Sequence, residues 1–323
     1  MRQRNRASHI KMLLGLGVLI AALSGCGSRE AVTATGAEET ASPANAAAGS
    51  VNILLRGDSA KIGGRGAEVE KGVLVIHEGG TYRLTGESRL PVEVRAANVS
   101  VTLYLENVKL HTRGNSAIRA VQRGDLTLIF AGEEENSIET DGREKKDGSA
   151  ADPKGVDAAI FSKGNLTLRG SGSANIKAAN RGIVAKGELI VADGIFDLRT
   201  EDDIFCGKES VTLQGGTVRA SAQGDKGKGV SSDGAVILSG GSYVFAHTSE
   251  GIEGKTIEMS GGSFDISADD DGMNAREHYD KEETKTKKKE ANPEVWIRIA
   301  GGELYVTAGG DGLDSNGDLI FSG

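Results

Sequence analysis

A repeat of about 22 residues is the feature that most limits the folds open to this chain. Apolar anchor positions recur at spacings of 23, 22, 25, 21, 40 and 22 residues. These anchors are Leu166, Leu189, Val211, Val236, Ile257, Ile297 and Leu319. A period of this length is typical of solenoid proteins, in which similar units stack and bury a shared core. The sequence therefore predicts a stack of similar units.

Each unit has the pattern of β-strands. Two short alternating runs are separated by glycine, as in TIEMSGGSFDIS and WIRIAGGELYVT. Alternation with turn glycines is the strand signature, and no helical periodicity separates the units. The pattern predicts an all-β parallel β-helix over residues 51–323, with coils about 4.8 Å apart. Phe264 and Ile266 should point inward and Asp265 outward, and Leu304 and Val306 inward with Tyr305 outward.

The two spacings of about 40 residues indicate insertions. Polar, charged stretches near 133–155 and 276–294 account for them. Residues upstream of the regular repeat are predicted to form less regular coils or a cap. The final GDLIFSG stops partway through a unit, so we expect an incomplete C-terminal end.

The N-terminus has the order of a bacterial lipoprotein signal. Arg2, Arg4, Arg6 and Lys11 precede an apolar stretch, which ends in the lipobox Leu23–Ser24–Gly25–Cys26. Residues 1–25 are predicted to be a signal peptide, with Cys26 as the lipidation site. The small polar residues 26–50 then read as a flexible tether. We expect a protein anchored to the bacterial membrane by lipid and exposed outside the cytoplasm.

Composition excludes several functions. The formal charge is −8 (38 minus 46), and removal of residues 1–25 takes it to −12 (34 minus 46), which argues against nucleic acid as a partner. Cys206 is the other cysteine, so no internal disulfide is expected, and it is predicted to be a small buried residue. No GxSxG, HExxH, CxxC or phosphate-loop motif supports hydrolase or nucleotide chemistry, and no catalytic residue is predicted.

When coils stack, equivalent positions of successive coils lie above one another in a column. One such column is acidic. The residues nine positions after the glycines of six units are Arg181, Asp203, Asp225, Glu250, Asp271 and Asp311. Calcium prefers six to eight such oxygens in loose geometry and would relieve the repulsion between them. The predicted calcium ligands are Asp202, Asp203, Asp225, Glu250, Glu253, Asp270, Asp271, Asn274, Asp311 and Asp314. Exposed Asp-Gly and Asn-Gly turns with no bound ion are the open alternative.

A basic row runs beside the acidic one. It contains Lys163, Lys186, Lys208 and Lys255. A calcium row next to a lysine row would offer sugar carboxylates both a bridging and a direct partner. Trp296 and Tyr305 are the best candidates for stacking on sugar rings. These six residues are the predicted carbohydrate contacts.

Several cassettes, including AAIFSKGNLTLRGSG, GIVAKGELIV and GGDGLDSNGDLIFSG, resemble a family of bacterial carbohydrate-binding surface proteins. The similarity covers residues 72–323. It implies a calcium-binding, right-handed parallel β-helix similar to that of polysaccharide lyases, and binding of plant cell-wall polysaccharides, acidic ones included. The glycine-apolar pair before the lysine row is kept at Gly182–Ile183 and Gly251–Ile252 and is lost at Ile204–Phe205–Cys206.

Three functions are compatible with these features. The favoured one is a lipoprotein that binds polysaccharide with calcium. A calcium-dependent uronate lyase is the second, with Lys186, Lys208 or Lys255 as the base. An adhesin or structural surface protein that binds another protein along its exposed strands is the third.

Overall fold

The computed structural model describes residues 8–14, 49–113, 116–141, 158–277 and 291–322. Every regular element in these ranges is a β-strand. The described part of the chain contains no helix long and apolar enough to span a membrane. Cys26 and the tether as far as residue 48 lie outside the described residues.

The strands form three ladders, numbered here in chain order. Ladder one contains β8 (Ser100–Arg113), β10 (Asp125–Ala131), β13 (Asn165–Arg169), β16 (Glu188–Val191), β19 (Ser210–Leu213), β22 (Ala235–Leu238), β25 (Thr256–Met259), β28 (Trp296–Ile299) and β31 (Asp318–Phe321). Ladder two contains β2 (Val51–Gly57), β6 (Gly80–Ser88), the second half of β8, β11 (Asn136–Asp141), β14 (Ser173–Ala178), β17 (Ile195–Thr200), β20 (Thr217–Ala222), β23 (Ser242–Thr248), β26 (Ser263–Ala268) and β29 (Gly302–Ala308). Ladder three contains β4 (Ala67–Glu70), β5 (Val73–Ile76), β7 (Val92–Val94), β9 (Ile118–Ala120), β12 (Ala158–Ser162), β15 (Arg181–Ala185), β18 (Phe205–Gly207), β21 (Val230–Ser232), β24 (Ile252–Gly254), β27 (Met273–Ala275) and β30 (Leu313–Ser315).

The topology repeats every three strands. From β9 onward, each strand pairs in parallel with the strand three positions later, so that Leu189 of β16 pairs with Leu166 of β13 and with Val211 of β19. All seven predicted anchors are register partners in ladder one. Ladders one and two belong to a twenty-stranded sheet because β8 pairs in both, and ladder three is a separate eleven-stranded sheet. The predicted all-β, parallel architecture is confirmed, and it fits a β-helix-like solenoid.

The core is a continuous row of apolar side chains inside the ladders. Phe264, Ile266, Leu304 and Val306 are buried, as the alternation predicts. Asp265 is exposed, and Tyr305 is half-buried. Aromatic rings also stack from coil to coil, since the ring centroids of Tyr243 and Phe264 lie 5.0 Å apart in nearly parallel planes.

Glycines make the turn between ladders one and two. Gly262 has a φ of 87°, and a Cβ at this position would lie 2.9 Å from the carbonyl oxygen of Gly240 in the preceding coil. Gly194, Gly216, Gly241 and Gly302 also have positive φ at the equivalent turn. A side chain there would be strained and crowded, so the sharp turn and the close stacking both require glycine.

The first coils are less regular, as predicted. β2 pairs antiparallel with β3 (Ser59–Ile62), and β4 pairs antiparallel with β5. β1 (Ser8–Leu14) lies within the predicted signal segment and pairs antiparallel with β29. The signal itself stays a prediction.

The predicted bounds of both insertions are too wide. Within 133–155, Asn136–Asp141 form β11, which pairs with β8 and β14 in ladder two. Within 276–294, Asn292 donates a hydrogen bond to Glu277 (2.8 Å), and Glu294 pairs with Lys255 (2.7 Å). These segments were assigned to the insertions because they are hydrophilic. The outward positions of a strand and the base of a loop are also polar, so composition does not distinguish them from an insertion. Residues 142–157 and 278–290 lie outside the described residues.

Truncation of an inward aromatic side chain should lower the free energy of unfolding strongly, and truncation of its outward neighbour should not. We expect Phe264→Ala to lower the free energy of unfolding by about 3–5 kcal/mol, because it removes a buried ring from a packed stack. Asp265→Ala, one residue away on the exposed face, should change it by less than about 0.5 kcal/mol. Urea unfolding of both variants measures the difference, and equal losses would contradict the inward assignment.

Candidate functional site

The predicted acidic column lies at the turn from ladder two into ladder three. Backbone hydrogen bonds define the members of this column. In each coil, the amide of the residue that follows the column residue donates to the carbonyl of the column residue in the next coil. The donors are Gly182, Ile204, Gly229, Gly251 and Gly272, at 2.8–3.1 Å. The resulting turn column is Arg181, Asp203, Lys228, Glu250, Asp271 and Asp311.

Asp225 does not belong to this column, which corrects the sequence prediction. The coil that contains it has three additional residues, and the register places Lys228 between Asp203 and Glu250. Asp225 is exposed in the extended turn. Alignment on the glycine-apolar pair would have found Lys228, because Gly229–Val230 occupies the place of Gly182–Ile183 and Gly251–Ile252.

A second column on the outer face of ladder three lies beside the first. The register stacks Cys206, Ser231, Glu253, Asn274 and Asp314 in successive coils. Glu253, Asn274 and Asp314 were predicted to supply oxygens here, and the structure places all three in one column. Cys206 is half-buried against Phe161 and Val184, and burial raises the pKa of its thiol, in keeping with a packing role.

Glu253 is buried between two cations. Its side chain is 0 % exposed, with Lys228 Nζ 2.5 Å from one carboxylate oxygen and Arg276 Nη2 2.5 Å from the other. A buried carboxylate requires such pairing because desolvation of an isolated charge is very costly. Neither cation was predicted from the sequence, because the ninth residue after Gly216 is Asp225 and not Lys228, and because Arg276 was assigned to the insertion.

Glu250 lies next to this ion-paired group. Lys228 Nζ is 3.4 Å from its Oε2, and the Asn274 side-chain amide lies 3.5 Å from its Oε1. Burial, with the neighbouring Glu253 as a further cause, raises the pKa of Glu250 to about 7. Glu250 therefore changes charge near neutral pH.

The carboxylates of the next two coils have no cationic partner among the described residues. None of Asp270, Asp271, Asp311 and Asp314 forms an ion pair with a residue in the described ranges. Asp271 Oδ1 accepts a hydrogen bond from the Asp311 amide (2.8 Å), and Oδ2 accepts one from Asn274 Nδ2 (3.2 Å). Burial and then the nearby carboxylates of Asp270, Asp314 and Asp311 raise the pKa of Asp271.

Asn274 contributes a buried side-chain amide to this cluster. The residue is 7 % exposed, and its side-chain amide donates toward Glu250 and Asp271, while its Oδ1 has no hydrogen-bond partner. A buried amide oxygen beside carboxylates that form no ion pair fits a hard cation such as calcium, which binds carboxylate and amide oxygens. In the described part of the chain, three carboxylates of this cluster do not converge within 4.8 Å. A bound ion would have to draw them together.

Asp202 and Asp203 are separated from this cluster by the Lys228 coil. Asp202 is exposed, and Asp203 Oδ1 accepts a hydrogen bond from the Lys228 amide (3.0 Å). Burial, with Asp202 as a further cause, raises the pKa of Asp203. The predicted ten-residue calcium ladder is therefore divided by Lys228, and Asp270, Asp271, Asn274, Asp311 and Asp314 form the group beyond the ion pairs of Glu250 and Glu253.

The predicted lysine row is partly continuous. Lys163, Lys186 and Lys208 are exposed and stack in three consecutive coils, since their amides donate to Ala120, Ser162 and Ala185 of the preceding coils. None of these three forms an ion pair with a described residue. The following coil places Asp233 in the row.

Lys255 and Arg276 continue the row beyond Asp233. Lys255 is half-buried and pairs with Glu294, so the four lysines are not equivalent.

The two predicted aromatic contacts lie on different ladders. Trp296 begins β28 in ladder one, where it pairs with Thr256, the residue after Lys255, and its ring packs 4.9 Å from the guanidinium of Arg298. Tyr305 lies on β29 in ladder two. Trp296 is therefore near the lysine row, whereas Tyr305 belongs to another surface.

Comparison with protein families places the chain in a class. A family model described as carbohydrate-binding domain-containing protein matches residues 70–323. The chain belongs to this family of carbohydrate-binding domain-containing proteins. A comparison with curated proteins found no match.

A solved structure shares the fold. It is a gadolinium derivative of the polysaccharide lyase-like protein from C. thermocellum, and it is 18 % identical in sequence with a TM-score of 0.62. The match covers 84 % of this chain and 97 % of that one. At this identity the similarity shows the fold alone.

The Glu250 carboxyl should make stability depend on pH in calcium-free protein. Its pKa in the folded state lies above the ordinary value of 4.5, so its contribution to stability is fully present below about pH 4.5 and is lost as the pH rises through about 7. Glu250→Gln removes the charge. We therefore expect the melting temperature of the variant, relative to wild type, to rise between pH 5 and pH 8 in chelator.

A matched variant separates this effect from general charge loss. Glu209→Gln changes an exposed turn residue of the same type, and its melting temperature relative to wild type should stay constant over this range. A constant difference for Glu250→Gln as well would contradict the assigned titration.

Proposed function

We propose that this protein binds acidic polysaccharide with calcium on the outer face of ladder three. The observation that carries this proposal is that Asp271, Asp311 and Asp314 form no ion pair with a described residue, while the buried Oδ1 of the neighbouring Asn274 has no hydrogen-bond partner. Calcium bound there would retain open coordination positions for sugar carboxylates. Membership in a carbohydrate-binding family supports the polysaccharide as ligand.

The lysine row supplies the second half of the site. Lys163, Lys186 and Lys208 are exposed and lie on successive coils. The backbones of neighbouring coils are about 4.8 Å apart. A polyuronate chain carries one carboxylate per sugar, so it would pair with several lysines at once. We propose a right-handed coil of about 22 residues, in which these residues form a straight row along the axis.

The N-terminal sequence supports a proposal for the location of the protein. We propose cleavage after residue 25, lipidation of Cys26 and exposure outside the cytoplasm on a tether ending near residue 50. A binding domain held in this way would retain soluble polysaccharide at the cell.

A lyase is the second candidate, because a carboxylate-bound calcium beside a basic residue is the arrangement that uronate elimination uses. Lys228 and Arg276 are poor bases for this step, since both are held by Glu253 at 2.5 Å. Lys255 is also ion-paired, with Glu294. Lys208, the nearest exposed lysine of the row, lies three coils from Asp271, about 14 Å along the axis. Among these described residues no unpaired lysine lies beside the carboxylate cluster, so binding without cleavage is the favoured function.

Calcium should stabilise the fold through Asp271. At a hundredfold excess over Kd, an ion that binds the native state alone adds about 2.7 kcal/mol to the free energy of unfolding. Chelator should lower the melting temperature, magnesium should substitute poorly because it demands a tighter octahedron, and Asp271→Asn should reduce the calcium response.

Asp225→Asn is the matched control for this prediction. It removes the same charge from a nearby turn that lies outside the column, so its calcium response should equal that of wild type. Isothermal titration of the wild type with no heat of calcium binding would overturn the proposed site.

Polygalacturonate should be bound and left intact. Affinity electrophoresis should show retardation with calcium that chelator abolishes and that Lys186→Ala/Lys208→Ala weakens several-fold. Lys226→Ala, an exposed lysine in the extended turn, should leave it unchanged. Ultraviolet absorbance of unsaturated uronates should stay flat, and a steady rise abolished by a lysine variant would establish the lyase instead.

A further inference from the structure

A second candidate metal site lies at the opposite end of the same sheet. His77 Nε2 is 3.0 Å from Glu68 Oε1 and 3.1 Å from Glu70 Oε1, and the three atoms lie within 4.8 Å of one another. We propose that Glu68, Glu70 and His77 bind a divalent transition-metal ion of the zinc class. This inference is independent of the calcium site and of the polysaccharide.

The hairpin of β4 and β5 sets up the three ligands. Glu70 pairs with Val73 across the two-residue turn Lys71–Gly72, in which both residues have positive φ (48° and 77°). This is the geometry of a type I′ turn, which matches the twist of the strands it joins. Because side chains alternate along a strand, Glu68 and Glu70 lie on one face. His77, two residues beyond Val75, projects from that same face.

The backbone around His77 is held firmly. Its amide donates a hydrogen bond to the carbonyl of Gly66 (2.8 Å). The buried Tyr82 hydroxyl donates to the carbonyl of Glu78 (2.9 Å), which fixes the next residue. Gly66 permits this approach, since a Cβ there would lie 2.5 Å from that hydroxyl oxygen. The imidazole is therefore presented from a rigid strand end.

Arg95 orients one of the carboxylates. Its Nη1 donates to Glu70 Oε2 at 2.7 Å, and this leaves Oε1 directed at His77. The same guanidinium donates from Nε to the buried Glu93 at 2.5 Å, which holds it in place. Outer hydrogen bonds of this kind orient metal ligands in known sites.

The three ligand atoms are close enough for one small cation to bridge them. Ligands about 2.0–2.2 Å from a tetrahedral ion lie roughly 3.4 Å apart, so the nitrogen–oxygen distances of 3.0 and 3.1 Å need to lengthen only by a few tenths of an ångström. A single N–H on Nε2 can point along one of these directions, not both. A metal ion accepts lone pairs from all three atoms at once. One imidazole with two carboxylates and an open fourth position is a plausible zinc ligand set.

Cobalt provides a direct probe of this site. The full chain, freed of metal and saturated with calcium, should bind cobalt with visible absorption bands of tetrahedral or five-coordinate character, and zinc should displace it. His77→Gln and the exposed Glu68→Gln should each weaken zinc binding at least tenfold in calorimetry, with an unchanged far-ultraviolet spectrum.

His111→Gln is the matched control. His111 also has two carboxylate neighbours, but it meets Glu139 through Nδ1 (3.4 Å) and Asp141 through Nε2 (2.9 Å), so its partners do not converge on one atom. This variant should keep wild-type zinc affinity. Absent cobalt absorption in the wild type, or equal zinc affinity in wild type and His77→Gln, would overturn the proposal and leave the group as an ion-paired histidine.

Discussion

The hydrogen bonding of each coil to the next is the constraint on which the rest of this structure depends. A parallel ladder admits one register at a time, so a residue on one coil has a defined neighbour about 4.8 Å above and below it. Side-chain chemistry must then be compatible along the axis as well as across the core. The turn column illustrates this, because Lys228 separates the carboxylates of Asp203 and Glu250. The three additional residues of that coil place the lysine there.

The Glu253 ion pairs join three coils through their side chains. Lys228 comes from the coil before and Arg276 from the coil after, so one buried carboxylate holds both neighbours. Buried ion pairs contribute little net stability, yet loss of one partner is costly. Their effect here is to separate two electrostatic environments. Glu250 and Glu253 lie against cations of the protein, whereas Asp271, Asp311 and Asp314 form no ion pair with a described residue.

The sequence predicts the ladders well because the repeat is carried by inward apolar residues, which pack against one another and tolerate no shift. All seven anchors, from Leu166 to Leu319, are register partners as expected. Turn residues obey a weaker rule, since a turn bulges without disturbing the strands on either side. Asp225 was therefore misplaced by three residues while Val236 was aligned correctly. Arg276 was not predicted because it begins a highly charged segment, and the sequence there does not distinguish a residue that pairs with a buried carboxylate from the charged residues that follow it. The Glu68, Glu70 and His77 group was missed since it lies in an antiparallel hairpin outside the repeat.

The closed base of the second insertion has a consequence for how such a domain can diversify. Glu277 and Asn292 join the two ends of that segment, and Glu294 ties it to Lys255 at the edge of the basic row. The entropy of closing a loop grows only slowly with its length. The segment between these two ends could therefore be replaced by one of almost any length and composition while the coils stay in register. The stacked strands would act as a fixed frame, and new specificity could arise at this one joint beside Lys255 without any change to the frame.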